Sequence, residues 1–321
     1  MTIREALTEG TASLAETGIE TPGLDSSLLL AEVLNTSRSK LTAAGNDPVS
    51  QDSLTAFRQL IKRRQSGESA AYILGRKEFY GLEFLVNPSV LVPRPDTETL
   101  VEVALKRIGT GEHGTRSKEQ GARSNEQRIS NKAEMDKQSP RALDLCTGSG
   151  AIAIALKHTM PQLEVWATDI SSEALETAKT NAARLLPPNS IRFYQGDLYN
   201  ALPPFPPLLT AHCSLLTIVS NPPYIPTTEI PSLPPEVRME PALALDGGDD
   251  RLHIIRKIIS RAPEFLCKGG CLLLEADPRQ MAAIASLYKE AGFFDIQTHA
   301  DLSGRERVIS GIRTNKMSSE Q

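Results

Sequence analysis

The stretch Ile218 to Pro226, IVSNPPYIP, runs from a strand-like apolar segment into two adjacent prolines held between Asn221 and Tyr224. Proline fixes its own φ and pushes the residue before it out of the helical region, so Asn221, Pro222 and Pro223 keep almost no conformational freedom. A carboxamide and an aromatic ring held that stiffly suit the orientation of a reacting group. A strand that merely stops at a proline-rich turn accounts for the same residues, so the stretch needs partners before it means chemistry.

The partners stand upstream. In RALDLCTGSGAIAIALKH, Asp144 lies near the end of an apolar strand, Gly148 and Gly150 follow in a tight turn, and a helix begins near Ala151. Glycines there let the backbone approach a ligand, and the helix start offers unpaired N–H groups. About 25 residues on, EVWATD ends in Asp169, the place of an acid that takes ribose hydroxyls, and IRFYQGD ends in Asp197. Three acids at neighbouring strand ends line one crevice. Two cofactors fit it. Gly148 to Ala153 satisfies G-x-G-x-x-A, which suits a nicotinamide dinucleotide. Asp144 beside the glycines would repel a pyrophosphate but can meet a cationic methionine end, Asp197 can accept from an adenine amine, and Asn221 follows the next strand at the same edge. These details favour S-adenosylmethionine. A second literal glycine motif, Gly109, Gly111 and Gly114, is a decoy, because a helix-like run precedes it and a polar tract follows.

The elements that must hold these residues read in three regimes. Residues 1 to about 70 carry helical periodicity, with Asp25 placed as a cap ahead of SSLLLAEVL and an apolar stripe at Leu54, Phe57, Leu60 and Ile61. RKEFYGLEFLVNPSVLV, from Arg76 to Val92, reads as a β-hairpin. Beyond it strand-like and helical runs alternate, the pattern of a mostly parallel sheet with helices on both faces. Residues 109–140 contain almost nothing that could be buried and read as a disordered insertion.

Composition removes other classes of function. The 321 residues are 40% hydrophobic and 23% charged, with a formal net charge of −4, so no global basic excess is available to hold a nucleic-acid backbone. No run approaches the roughly 20 apolar residues of a membrane span, and a cytosolic protein is expected. Of the four cysteines only Cys267 and Cys271 are close, and no second pair completes a zinc site, so no metal is expected. The five histidines are scattered, with neither HExxH nor GxSxG.

Several blocks together carry a family likeness: SAAYILGRKEFYGLEFLV, VLVPRPDTETLVE, LDLCTGSGAIAIAL, ATDISSEALETAKTNA, IVSNPPYI, EPALALDGGDD and LSGRERVISG. The chain resembles the glutamine-specific protein methyltransferases that act on peptide-chain release factors. NPPY alone also occurs in methyltransferases of exocyclic adenine amines, but joined to Pro93-Arg94-Pro95 it is far more specific. The resemblance implies an α/β fold, a Rossmann-like class I S-adenosylmethionine-dependent sheet with a small N-terminal helical domain and a bridging hairpin. Residues 1–75 would grip the protein substrate, 76–92 form the hairpin, and 93–317 form the catalytic domain around the insertion. Cys146, Thr147, Gly148, Ser149 and Gly150 would cradle the methionine part of the cofactor beside Asp144, Asp169 the ribose, and Asp197 with Leu198 the adenine. Asn221, Pro222, Pro223 and Tyr224 would hold the substrate glutamine, with Asn221 also beside the cofactor. Phe79 and Arg94 would line the route between the domains.

An amide nitrogen is a poor nucleophile because its lone pair is delocalised, so catalysis has to orient it. The Asn221 side-chain oxygen and the Pro222 carbonyl would each accept one substrate N–H while Tyr224 packs on the flat amide. Three positions depart from the family pattern: Cys146 stands at the first glycine of the loop, Arg251 replaces a glycine after GGDD, and Asp277 replaces another in LLLEADPRQ. The expected partner is a release factor, met by a monomer with no need of nucleic acid or membrane. The rivals are an adenine methyltransferase, which would add a basic and aromatic base-flipping surface, and a non-catalytic release-factor-binding module.

Overall fold

The computed structural model describes residues 1–109, 140–203 and 215–314. The expected insertion lies outside them apart from its two end residues, as do His113, His212 and Cys213. Five helices occupy the N-terminal region: α1 (Ile3–Ala15), α2 (Pro22–Val33), α3 (Arg38–Ala43), α4 (Gln51–Gln65) and α5 (Ala70–Leu74). Local chemistry sets their starts. Thr2 and Glu5 form a reciprocal capping box on α1, and Ser50 and Ser69 cap α4 and α5. The stripe on α4 packs Leu54, Phe57 and Ile61 against Ile3, Leu14, Leu29 and Leu30 in one apolar core, with Leu60 only partly covered.

Asp25 is not the cap that its position suggested. Pro22 pre-sets the first helical turn, so α2 begins earlier, behind Thr21. Asp25 is buried inside that turn, where it accepts from the Thr21 hydroxyl at 3.2 Å and from Arg64 of α4 at 2.7 Å.

The hairpin is β1 (Arg76–Phe79) and β2 (Leu82–Leu85), antiparallel with Phe79 opposite Leu82. Its two turn residues, Tyr80 and Gly81, both have positive φ, as a tight two-residue loop demands. Pairing stops at Leu85, seven residues short of Val92, because Asn87 and Pro88 break the strand. Val86, Val90 and Val92 still bury as apolar anchors, and the Tyr72 hydroxyl donates to the Val90 carbonyl at 2.6 Å.

After a short turn at Pro95–Thr97 and helix α6 (Glu98–Gly109) comes the sheet: β3 (Arg141–Leu145), β4 (Glu164–Asp169), β5 (Ile191–Gln195), β6 (Leu215–Ser220), β7 (Leu266–Glu275), β8 (Phe293–Ala300) and β9 (Glu306–Arg313). Its order is β5-β4-β3-β6-β7-β9-β8, with the first five positions parallel and β9 antiparallel to both neighbours. Helices α7 (Ala151–Thr159) and α8 (Ser172–Leu185) follow β3 and β4, and α9 (His253–Phe265) and α10 (Met281–Glu290) flank β7. Apolar residues fill both faces, Val165, Val219 and Leu273 on one and Leu143, Ile218 and Leu272 on the other. The chain winds outward from β3 to β5, then returns to lay β6 on the opposite side of β3. That reversal opens a crevice at the carboxyl ends of β3 and β6, where sheets of this kind bind ligands.

Candidate active site

The loop after β3 is a tight backbone fold with positive φ at Cys146 (58°), Gly148 (55°) and Gly150 (82°). At Gly150 an added β-carbon would sit 3.0 Å from Ile154 Cδ1 and 3.1 Å from Ala178 Cβ, so the glycine lets α7 lie close to α8. Asp144 holds this loop from beneath: its Oδ2 accepts from the Thr147 hydroxyl at 2.7 Å and from the Ala153 N–H at 3.2 Å. Asp144 is fully buried, its other oxygen has no protein partner among the described residues, and burial pushes its carboxyl up to about 7. It stands behind the cavity lining, where its bonds hold the glycine loop in shape.

Asp169, at the end of β4, accepts from the Gly148 N–H at 2.9 Å and from the Ser171 N–H at 3.0 Å. Burial raises its carboxyl above the ordinary range. Asp197 follows β5 and starts the short 3-10 turn Leu198–Ala201, whose first residue also has positive φ.

One cavity joins these groups to the proline stretch. Cys146, Thr147, Gly148, Ser149, Asp169, Asp197 and Leu198 line it together with Arg94, Asn221 and Pro223. No histidine is among the lining residues. Gly150, Pro222 and Tyr224 stand beside the cavity without lining it. Tyr224 is half-buried against the apolar face that carries Ile218 and Leu274, and burial holds its phenol far above the usual range. Its carbonyl accepts from Gln280 Nε2 at 2.9 Å, and Gly247 lies so close that a β-carbon would sit 2.8 Å from Tyr224 Cα.

Phe79 corrects an expectation. It is 1% exposed and packs edge-to-face on Phe84, 6.0 Å between ring centres, so it is part of the core and lines no route. The two-residue turn fixes the alternation of β1 and β2, which turns Phe79 inward.

Several residues that matter at the site lie in the blocks of family likeness without an expected role, and Glu275 lies outside those blocks. Arg94 is held by the buried Glu240 at 2.7 Å, and burial pushes that carboxyl up to about 7. Thr97 accepts from Asn221 Nδ2 at 3.3 Å. Asn181 on α8 accepts from the Leu85 N–H at 2.7 Å and donates to the carbonyls of Leu85 and Ser149, each at 3.0 Å, tying the hairpin to the glycine loop. Glu275 ends β7 as Asp169 ends β4, and a single acid closing the apolar run GCLLLEA is the signal that marks it.

The cavity's chemistry separates the two cofactor classes. A pyrophosphate needs the loop's N–H groups, but the Gly148 N–H is already taken by Asp169, and Asp197 adds a second carboxylate to the same cavity. Acceptors there suit a ligand with hydroxyl and amine donors. Beyond Gly148 a β-carbon would meet nothing within 4 Å, so the loop leaves room beside it. These residues fit the nucleoside and amino-acid parts of S-adenosylmethionine.

Comparison with known proteins agrees. Residues 5–75 match the family model described as the PrmC N-terminal domain, and residues 129–230 match the Methyltransferase small domain. The release factor glutamine methyltransferase of Moorella thermoacetica is 37% identical over 98% of this chain and 99% of its own length. The protein of the same name from Deinococcus radiodurans is 35% identical over the same shares, and that from Geobacter sulfurreducens 37% identical over 97% and 96%. The chain belongs to the release factor glutamine methyltransferase family. It is a methyltransferase with a Rossmann-like sheet, and S-adenosylmethionine is its methyl donor. Among the described residues no helix is long and apolar enough to cross a membrane, and no cluster of side chains could hold a metal ion.

Proposed function

We propose that this chain methylates the side-chain amide nitrogen of a glutamine in peptide chain release factors, the glutamine of their Gly-Gly-Gln motif, and so tunes translation termination. The observation that carries this reading is the position of Asn221, which lines the same cavity as Asp169, Asp197 and the glycine loop. The bound cofactor supplies a sulfonium-activated methyl group. Asp169 takes the ribose hydroxyls, Asp197 and Leu198 the adenine, and Cys146 to Gly150 the methionine part. Asn221 Oδ1 and the Pro222 carbonyl accept the two N–H groups of the substrate carboxamide, while Pro223 and Tyr224 hold the segment rigid around them. Methyl transfer makes the nitrogen more cationic, so these acceptors bind the transition state more strongly than the ground state. As the new N–C bond forms the methyl–sulfur bond breaks, the cofactor would leave as neutral S-adenosylhomocysteine, and the methylated nitrogen gives up one N–H proton to solvent, so no side chain has to take up a proton in this step. Arg94, anchored by Glu240, lines the same cavity, and the helices of residues 1–75 supply the grip on the rest of the factor. The reading carries with it a cytoplasmic monomer that needs no nucleic acid.

The test counts tritium transferred from the cofactor onto intact release factor, the factor with that glutamine changed to alanine, DNA and RNA. Label is expected on the intact factor alone. Label that persists on the alanine variant, or that enters only nucleic acid, defeats the assignment. Asn221→Ala should cut turnover by about a hundredfold, the scale of one lost transition-state hydrogen bond, and leave binding of S-adenosylhomocysteine nearly intact in calorimetry.

A further inference from the structure

A carboxamide can present either its oxygen or its NH2 to a ligand, and the proposed chemistry works with only one of them. β6 and β7 run side by side with Ser220 paired to Leu274, so the next residues, Asn221 and Glu275, reach the carboxyl edge together. Thr97 lies over both. Its hydroxyl accepts from Asn221 Nδ2 at 3.3 Å, and it stands close enough to the Glu275 carboxylate to pull that carboxyl's protonation down. Thr97 and Glu275 are buried, at 4% and 1% exposure, and Glu275 Oε2 has no hydrogen-bond partner among the described residues. The turn that carries Thr97 is clamped in place, since its neighbour Asp96 pairs with Arg307 at 3.2 Å and Arg305 at 3.3 Å.

The proton count along this chain decides the orientation. A hydroxyl has one proton to give, and an ionised carboxylate can only accept. Thr97 therefore gives its proton to Glu275 and turns a lone pair to Asn221. Only the NH2 end of the carboxamide can meet that lone pair. Asn221 Oδ1 is left free for the substrate. We propose that Glu275, acting through Thr97, is a positioning residue that fixes the Asn221 carboxamide with its oxygen towards the N–H of the substrate amide. This inference rests on the reading of Asn221 as the substrate's acceptor.

A protonated Glu275 reverses the chain. It donates to Thr97, Thr97 donates to Asn221, and the carboxamide flips to set NH2 against the substrate's own N–H. Burial pushes the Glu275 carboxyl up to about 7, against the pull of Arg307 and Arg94 and with the push of Asp96. Tyr224 also faces it, with a phenol that burial keeps protonated. The active orientation belongs to the carboxylate, so turnover rises with pH through about 7.

The experiment measures kcat and KM separately for methyl transfer to intact release factor. Thr97→Val should lower kcat by about 10- to 100-fold, the range for a misdirected transition-state contact, with KM for the cofactor unchanged. Thr97→Ser, which keeps the hydroxyl, should restore most of it. Glu275→Gln should remove the rising limb of the pH profile. Because the network acts through Asn221, Thr97→Val added to Asn221→Ala should cost nothing more. Wild-type kcat in Thr97→Val, a multiplied loss in the double variant, or a pH limb that survives Glu275→Gln each overturns the proposal. If Thr97→Val loses binding of S-adenosylhomocysteine it has lost its fold, and failure of Thr97→Ser to restore turnover then counts against the proposal. A wild-type chain that transfers no methyl group overturns instead the functional reading beneath it.

Discussion

Cys146 holds a backbone conformation, φ 58°, in which a β-carbon crowds the following carbonyl. Arg251 does the same at φ 66°. Both stand where the family pattern has glycine, and the structure supplies the physical reason for that pattern. The sequence could show that these residues depart from it. It could not show strain, because strain is a property of φ and not of residue type. The consequence is an inverted order of stabilities. Alanine normally stabilises a fold relative to glycine, but at Cys146 alanine keeps the strained β-carbon and glycine removes it. Cys146→Gly should be more stable than Cys146→Ala by about 1 kcal/mol, the usual cost of a left-handed residue, as read from urea midpoints. The acids were legible by position, and the structure divides their work: Asp169 and Asp197 line the cavity, whereas Asp144 supports the loop.

At the scale of elements, the five parallel strands were legible because each is a short apolar run followed by a helix or a turn signal. The β8–β9 pair was not. β8 lies at the sheet edge with most of its side chains exposed, so FFDIQTHA carries no clean alternation. The hairpin was placed correctly but drawn too long, because buried valines continue past its last pair. What the hairpin does could not be read at all, since it depends on Asn181, 96 residues away. That buried carboxamide satisfies both the N–H and the carbonyl of Leu85 and also reaches Ser149 O, making it the bolt between hairpin, α8 and glycine loop. Removing it strands buried polar groups on two elements. Asn181→Ala should lower unfolding free energy by about 2–4 kcal/mol on the usual scale for unsatisfied buried groups. It should also weaken S-adenosylhomocysteine binding, because the loop loses its anchor. A variant with unchanged midpoint and affinity contradicts this account.

Across the whole molecule, the helical region meets the catalytic sheet through charge. Arg64 of α4 is 4% exposed and donates to Asp25 at 2.7 Å and to Glu236 at 2.7 Å, and Glu236 belongs to the chain that follows the proline stretch. Gly67 packs nearby, where a β-carbon would lie 2.9 Å from Pro235 Cβ. A buried ion pair adds little over apolar packing, but breaking one side of it is costly. Arg64→Met should therefore lose about 3–5 kcal/mol by leaving Asp25 uncompensated, and Arg64→Met combined with Asp25→Leu should recover most of the loss in urea denaturation. Equal losses in both variants refute the ion-pair account. The direction of the strands has a different kind of consequence. α6 ends at Gly109, where an added β-carbon would lie 4.0 Å from Met160 Cε, and Pro140 accepts from the N–H of Glu164 at the start of β4. Both ends of the stretch between Gly109 and Pro140 thus open at the amino edge of the sheet, while the cavity lies at its carboxyl edge. Sequence that is lengthened, shortened or exchanged for a reporter between these two ends therefore joins the fold at the edge opposite the reaction, which makes their junction the natural port for engineering this enzyme.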